Sequence, residues 1–376
     1  MLCGWKTQDL ASWLSMLLSF RDSRSLLMGT GDFHMTRHTY KAMQVSRPGV
    51  LEMVVREIPD PGVDEVLIEV QACGICGADA GVIAGLESGV KFPRVPGHEV
   101  VGRLVKLGAN VSKSWRVGQR VGVGRLGGHC LQCEQCRRGH FNLCRDQPVT
   151  GSSRDGGYAQ MMLARATGLV SIPDALGAVE AAPLLCAGIA TFNALRKSGA
   201  LAGDLVAIQG IGGLGHLALQ YACRMGFRVV AVGRGADIAD EVQRLGAHHY
   251  IDTQVEDPVA RLRDMGGADV ILTTITDSDA VSALMPALAP QGRLLVVGVG
   301  RQPLSIMPGA LVGGERSVQG AITGTPFESE KTLDFSLMAD VRAQIETLPL
   351  ESAWEAYQRV RTGAVKFRMV LTVVNE

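Results

Sequence analysis

The chain has 376 residues, 47% hydrophobic and 20% charged, enough to bury a sizeable core in two domains or one large one. Lys plus Arg and Asp plus Glu number 37 each, so no bulk field favours nucleic acid or an anionic membrane surface. Nine cysteines, an odd count without a secretory pattern, argue against a disulfide framework and point to a reducing compartment, read here as the cytoplasm. No run approaches the ~20 apolar residues that a membrane helix needs.

Residues 1–38 differ from the rest. A short apolar stretch, Trp13 to Phe20, lies between Asp9 and Asp22 and lacks the basic start and small-residue cleavage site of a signal peptide. A disordered extension or a mis-assigned start is expected, with Met35 or Met43 as other starts. From residue 40 to 70 the pattern is strand, turn, strand: Val50–Val55, then Pro59-Asp60-Pro61-Gly62, then Glu65–Val70 in alternation. Short Val-rich runs broken by glycines recur over 97–125, so this half reads as an antiparallel, barrel-like β domain. After about residue 180 the character changes. Leu205–Gln209 reads as a buried strand, followed by a Gly-rich turn and a helix from Leu214 to Met225. Further strands are expected at Arg228–Val232, Tyr250–Ile251, Val270–Thr273 and Arg293–Val297, alternating with helices at Ile238–Leu245, Pro258–Met265 and Ala280–Leu288. That alternation predicts a parallel, doubly wound sheet. A helix around Ser352–Arg361 and a strand at Arg368–Val373 close the chain.

Cys130, Cys133, Cys136 and Cys144 follow C-x2-C-x2-C-x7-C. Four thiolates from one short loop suit a tetrahedral zinc with no open position, hence a structural ion. An iron–sulfur cluster, which also takes four thiolates, is the competing reading. Elsewhere Cys76, His98 and Cys186 each follow or flank apolar runs, with Glu99 beside the imidazole. Together they offer one imidazole and two thiolates, and three protein ligands leave the fourth position that a catalytic zinc requires. Asp79 is placed to hold the imidazole by its second nitrogen. Spacing alone does not bring these residues together.

Leu205–Gln209 runs into G-x-G-x-x-G, spelled Gly210-Ile211-Gly212-Gly213-Leu214-Gly215. The first glycine permits the turn, the second lets a pyrophosphate approach, and the third lets helix and strand pack. At the end of the second strand stand Gly233 and Arg234, with no acid to bind both ribose hydroxyls of NAD. A guanidinium suits a 2′-phosphate in charge and in fork geometry, so NADP(H) is favoured, with NAD(H) the alternative.

From about Tyr40 to Val373 the chain resembles the medium-chain zinc alcohol dehydrogenases, above all their bacterial, fungal and cinnamyl-type members. The resemblance is carried by Cys73-Gly74-Ile75-Cys76, Pro96-Gly97-His98-Glu99, the four-cysteine lobe, Gly156-Gly157-Tyr158-Ala159, Leu184-Leu185-Cys186-Ala187-Gly188, the glycine loop and Arg368. It implies a GroES-like catalytic domain over 39–187 and 323–376 and a Rossmann cofactor domain over 188–322. It implies a catalytic zinc on Cys76, His98 and Cys186 that Glu99 can approach, a structural zinc on the four-cysteine lobe, and Arg368 on the cofactor pyrophosphate. It also implies a small alcohol or aldehyde as substrate and a homo-oligomer, dimer or tetramer, with no nucleic-acid or membrane partner. Family members that move the alcohol proton through a relay carry Ser or Thr two residues after the first Cys ligand and often His five after it; here stand Ala78 and Gly81, which carry no proton. Three readings follow: water or a ribose hydroxyl replaces the relay, the enzyme reduces activated C=C bonds beside a carbonyl, or the substrate brings its own acid. A zinc-binding protein without catalysis is the reading from a different class. Glu87 and Arg125 occupy places where relatives often carry aromatic residues, and they are either solvated or part of a polar pocket.

Overall fold

The computed structural model describes residues 38–374, so all but the last residue of the expected 1–38 extension lies outside the described residues. Six strands form a parallel sheet in the order His249–Asp252, Arg228–Gly233, Leu205–Gln209, Ala268–Thr273, Leu288–Val296, Ser317–Gly320. Strands in such a sheet are covered on both faces, which is why Leu205–Gln209 is buried throughout. Its side chains alternate: Val206 and Ile208 enter one core, Leu205 and Ala207 another. Chain order reverses beside this strand, and a crevice at the carboxyl ends of the strands is the usual ligand site of such a sheet.

A mixed seven-stranded sheet holds Ile345–Pro349, Arg368–Thr372, Glu65–Ile75, Glu99–Leu107, Arg120–Val123 and Leu169–Ser171 in that order, with Met161–Arg165 also paired to Glu65–Ile75. Its pairs are antiparallel except the first, Ile345–Pro349 with Arg368–Thr372. Thr39–Arg47 and Val50–Glu57 form a separate antiparallel hairpin, so the candidate start Met43 lies mid-strand. Helix Ala187–Arg196 joins the two sheets. Every residue from Ala187 to Leu195 is buried, and its Phe192 and Leu195 share one core with Ala72 and Val101 of the mixed sheet and Val206 and Ile208 of the parallel sheet. At about 1.5–3 kcal/mol per buried large apolar side chain, this helix contributes to the apolar core that the two sheets share.

Two details depart from the sequence expectation. The helix at 278 ends at Leu284, and the next strand starts at Leu288 instead of Arg293. Pro290-Gln291-Gly292 reads as a turn, but here it makes an irregularity inside the strand: Gln291 adopts φ 61°, and the pairing jumps from Ala268↔Leu288 to Val270↔Arg293. Helix Pro326–Met338 was not anticipated either, although Thr325 and Glu328 form a capping box with Pro326 in the first turn. Among the described residues no single helix is long and apolar enough to cross a membrane.

Candidate active site and metal centres

Strand Glu65–Ile75 delivers Cys76 at its end, and Glu99–Leu107 starts directly after His98, pairing Gly74 with Glu99. Cys186 caps helix Ala187–Arg196. The ligand atoms of Cys76, His98, Glu99 and Cys186, distant in sequence, all lie within 4.8 Å of one another. Cys76 and Cys186 Sγ are 3.9 Å apart. That is far beyond a disulfide bond of about 2.05 Å. It matches the ~3.8 Å between two thiolates that each sit about 2.3 Å from one tetrahedral ion.

Asp79 orders this set. Its Oδ1 accepts the His98 Nδ1–H at 2.8 Å, and its Oδ2 accepts the Cys76 backbone N–H at 2.9 Å. With Nδ1 donating, the Nε2 lone pair is the free one, and His98 Nε2 is buried without a hydrogen-bond partner. Glu99 Oε2 is likewise buried and unpartnered. Two thiols, a bare imidazole nitrogen and a bare carboxylate oxygen fit a cation, and zinc is the ion that this donor set suits. The Cys186 side chain hydrogen-bonds Cys76 and, with His98 and Arg368 nearby, holds the Cys76 thiol well below its usual pKa despite burial. Burial pushes the Glu99 carboxyl up to about 7 against the pull of Arg368. Gly74 makes room for that carboxylate: a Cβ there would stand 1.9 Å from Glu99 Oε2.

Glu99 Oε1 pairs with the buried Arg368 guanidinium, which also donates to Ile75 O at 3.2 Å. Arg368 Nη1 lies 2.9 Å from where a Cβ on Gly213 would be, so this one side chain links the cation set to the glycine loop. Gly210 turns with φ 90°, and Gly215 must lack a Cβ, which would sit 1.9 Å from Gly210 O. Ile211, Gly212, Gly213 and Leu214 border a cleft of about 850 Å³ whose other walls include Cys76, Gly77 and Arg368. Gly233 ends its strand, and Arg234 is exposed, with no ion pair or hydrogen bond among the described residues. The nearby Asp252 carboxylate is engaged, its Oδ1 accepting the N–H of Gly235 and Gln254; Asp237 also borders the cleft.

The second cysteine set is equally compact. Cys130, Cys133, Cys136 and Cys144 Sγ atoms lie within 4.8 Å of one another, with pairs at 3.6 and 4.0 Å. Backbone N–H groups of Arg145 and Cys136 lower the Cys133 thiol to about 6. In an iron–sulfur cluster the four thiolates are spread over two or four irons, so four sulfurs that all lie within 4.8 Å of one another favour a single ion.

Model domains described as "Alcohol dehydrogenase GroES-like domain" and "Zinc-binding dehydrogenase" match residues 62–174 and 213–339. The alcohol dehydrogenase patD of Penicillium expansum is 40% identical over 341 residues, covering 90% of this chain and 99% of that one. The chain belongs to the medium-chain zinc-type alcohol dehydrogenases. The GroES-like and Rossmann parts of that family are the mixed and parallel sheets here. A cinnamyl alcohol dehydrogenase of Sorghum bicolor superposes with a TM-score of 0.81 at 30% identity, covering 89% of this chain and 97% of that one. An acetophenone reductase of Geotrichum candidum in complex with NAD superposes at 0.80 with 26% identity, covering 89% and 98%.

Within this alcohol dehydrogenase, Glu87 and Arg125 meet as a half-buried pair at 3.1 Å, and the Ser152 hydroxyl donates to the same Glu87 oxygen at 2.6 Å. Sequence reasoning did not find that pairing. Nor did it find the contact between Phe367 and His216, whose rings stack at 4.6 Å beside the glycine loop. Phe367 adopts φ 72°, a left-handed conformation unusual for an aromatic residue, immediately before Arg368. Burial lowers His216 to about 3, so it stays neutral and its Nε2 accepts the Gln344 N–H. His248 is a backbone partner instead, accepting the Val229 N–H.

Proposed function

We propose that this chain is a zinc-dependent alcohol dehydrogenase or aldehyde reductase that moves hydride between an alcohol–carbonyl pair and NADP(H), with NAD(H) as the weaker cofactor. One observation supports this above the rest: a single cleft is bordered both by Cys76 of the cation set and by the Gly212–Gly213 turn. Cys76, His98 and Cys186 hold the catalytic ion, and the lobe cysteines hold a structural one. When bound, zinc supplies Lewis acidity toward a substrate oxygen, and the nicotinamide supplies or accepts the hydride. Asp79 fixes the tautomer and direction of His98. Glu99 keeps one oxygen on Arg368, and a carboxylate oxygen of it lies within 4.8 Å of the other ligand atoms, so it could also approach a bound ion. The glycine loop and the following helix, Gly215–Arg224, receive the pyrophosphate together with Arg368.

The relay positions remain empty of proton carriers. Ala78 and Gly81 are half-buried, and we assign the proton path to water or a ribose hydroxyl. Ala78→Ser is therefore expected to raise alcohol oxidation by less than about 100-fold, the low end of general acid–base gains. A larger rise in steady-state kcat would show that the missing hydroxyl limits the natural enzyme. Glu87, Arg125 and Ser152 pair with one another, and faster turnover of hydroxylated or charged aldehydes than of aromatic ones would place this cluster at the substrate.

A panel of hydroxylated, charged and aromatic aldehydes, read by NADPH and NADH consumption in zinc-replete protein, tests the reading. Absence of hydride transfer to every carbonyl with both cofactors would reject it. In the same assay Arg234→Ala should lower kcat/KM for NADPH by roughly 10- to 100-fold and leave NADH nearly unchanged, because a charge-assisted hydrogen bond is worth about 1.5–3 kcal/mol. Equal losses with both cofactors would remove Arg234 from 2′-phosphate recognition.

A further inference from the structure

The Gly156-Gly157-Tyr158-Ala159 run has no part in the chemistry described so far, yet its tyrosine is among the largest side chains buried completely. Tyr158 is clamped by its backbone, its N–H donating to Pro96 O at 3.0 Å and its carbonyl accepting the Met43 N–H at 2.8 Å. Its ring fills the space left by Gly97, next to His98: a Cβ on Gly97 would lie 2.3 Å from Tyr158 Cδ1. That leaves the phenol pointing into the interior, and its O–H donates to Asp79 Oδ2 at 3.0 Å. A tyrosine placed only for packing would be as well served by phenylalanine. A hydroxyl brought to a buried carboxylate is a different matter, because such a carboxylate loses stability with each donor removed.

The Asp79 carboxylate receives three donors, one from each of three segments. Cys76 N–H comes from the turn that carries the first thiolate, His98 Nδ1–H from the imidazole ligand, and Tyr158 O–H from outside both. The first two belong to groups that must move if the cation set rearranges. Tyr158 comes from a third segment, tied by its backbone both to the Pro96–Glu99 run that carries His98 and to the Thr39–Arg47 strand. Burial and the adjacent Asp79 carboxylate hold its phenol pKa well above the usual value, so it remains a proton donor.

From this arrangement we infer that Tyr158 is a positioning residue for the catalytic ion: its hydroxyl fixes the Asp79 carboxylate, which in turn aims His98 Nε2 and holds the Cys76 turn. The inference rests on the proposed role of Cys76, His98 and Cys186. It concerns how tightly the ion is kept and does not depend on the substrate. Partners of a metal-bound histidine beyond the ligands themselves typically change metal affinity by about 10- to 100-fold. One step further out, the lower end of that range is expected.

The test is release of zinc from the full-length, zinc-loaded chain to a chromogenic chelator. Wild-type protein should release metal in two phases, and the phase missing from His98→Ala belongs to the Cys76–His98–Cys186 set. In Tyr158→Phe, which keeps the ring, that phase should be about 10-fold faster, with the lobe phase unchanged. Asp79→Asn should also accelerate it. In the Asp79→Asn background, Tyr158→Phe should add little, because the hydroxyl acts through that carboxylate. Two phases with rates equal to wild type in Tyr158→Phe would overturn the inference while leaving the metal assignment standing. An undiminished 10-fold effect in the Asp79→Asn background would overturn it too, by showing that the hydroxyl acts through something else. A single release phase in wild type would overturn the metal assignment itself and this inference with it.

Discussion

His98→Ala should remove the catalytic ion and reduce hydride transfer by at least about 1000-fold while the chain stays folded. The expectation follows from the donor inventory. His98 contributes the one imidazole of the set, and its Nε2 is the buried nitrogen left bare by the Asp79 contact. Without it the set keeps two thiolates and the Glu99 carboxylate, which is already paired with Arg368, a much weaker donor set for a tetrahedral zinc. An electrophilic metal supplies several kcal/mol of charge stabilisation in the transition state, and each 1.36 kcal/mol is a factor of ten in rate. Metal content should fall from about two ions to about one per chain, the remaining one held by the lobe. Metal analysis alongside stopped-flow hydride transfer checks both parts. Unaltered metal content with lost activity would move His98 from ligand to another role.

Cys133→Ser should release the other ion and open the lobe without dissolving the sheets. Between Cys130 and Cys144 the backbone forms only a four-residue helix, Glu134–Arg137, and a short turn of 3₁₀ helix, Phe141–Leu143. Leu131 and Leu143 are exposed, so apolar burial does little to hold this segment. Its ordering depends on the four sulfurs, and structural zinc in small domains is worth about 10–16 kcal/mol. Loss should appear as local unfolding, since the mixed-sheet core around Ile68, Val100 and Tyr158 contains no lobe residue. Limited proteolysis should give a new cut between residues 130 and 145, with the metal of the Cys76 set retained. A protein as protease-resistant as wild type would mean that the lobe is held by something other than its ion.

The chemistry-bearing parts were legible in the sequence because their spacing is short or their context distinctive. The four lobe cysteines fall within one loop, and the glycine loop follows an apolar strand and precedes a helix. The split set of Cys76, His98 and Cys186 was legible only through family resemblance, since no local rule joins residues 110 positions apart. Long-range polar pairs escaped for the same reason. Glu99 and Arg368 are 269 residues apart, and Tyr158 reaches Asp79 across 79. The early start of strand Leu288–Val296 was hidden by Pro290-Gln291-Gly292, where tertiary pairing overrode a turn-like composition. Helix Pro326–Met338 had a visible start signal at Thr325 and Glu328, but it buries only a narrow stripe, including Ser329, Thr332, Leu333 and Ser336, and so gives a weak apolar period.

The central claim is that two thiolates and one imidazole share an ion at the mouth of a nicotinamide cleft. A crystal structure with anomalous data collected at the zinc edge and NADPH bound tests it most directly. Two anomalous peaks per chain are expected, one about 2.0–2.3 Å from Cys76 Sγ, His98 Nε2 and Cys186 Sγ, with the dinucleotide lying along Gly210–Gly215. A single peak, confined to the Cys130–Cys144 lobe, would contradict the account.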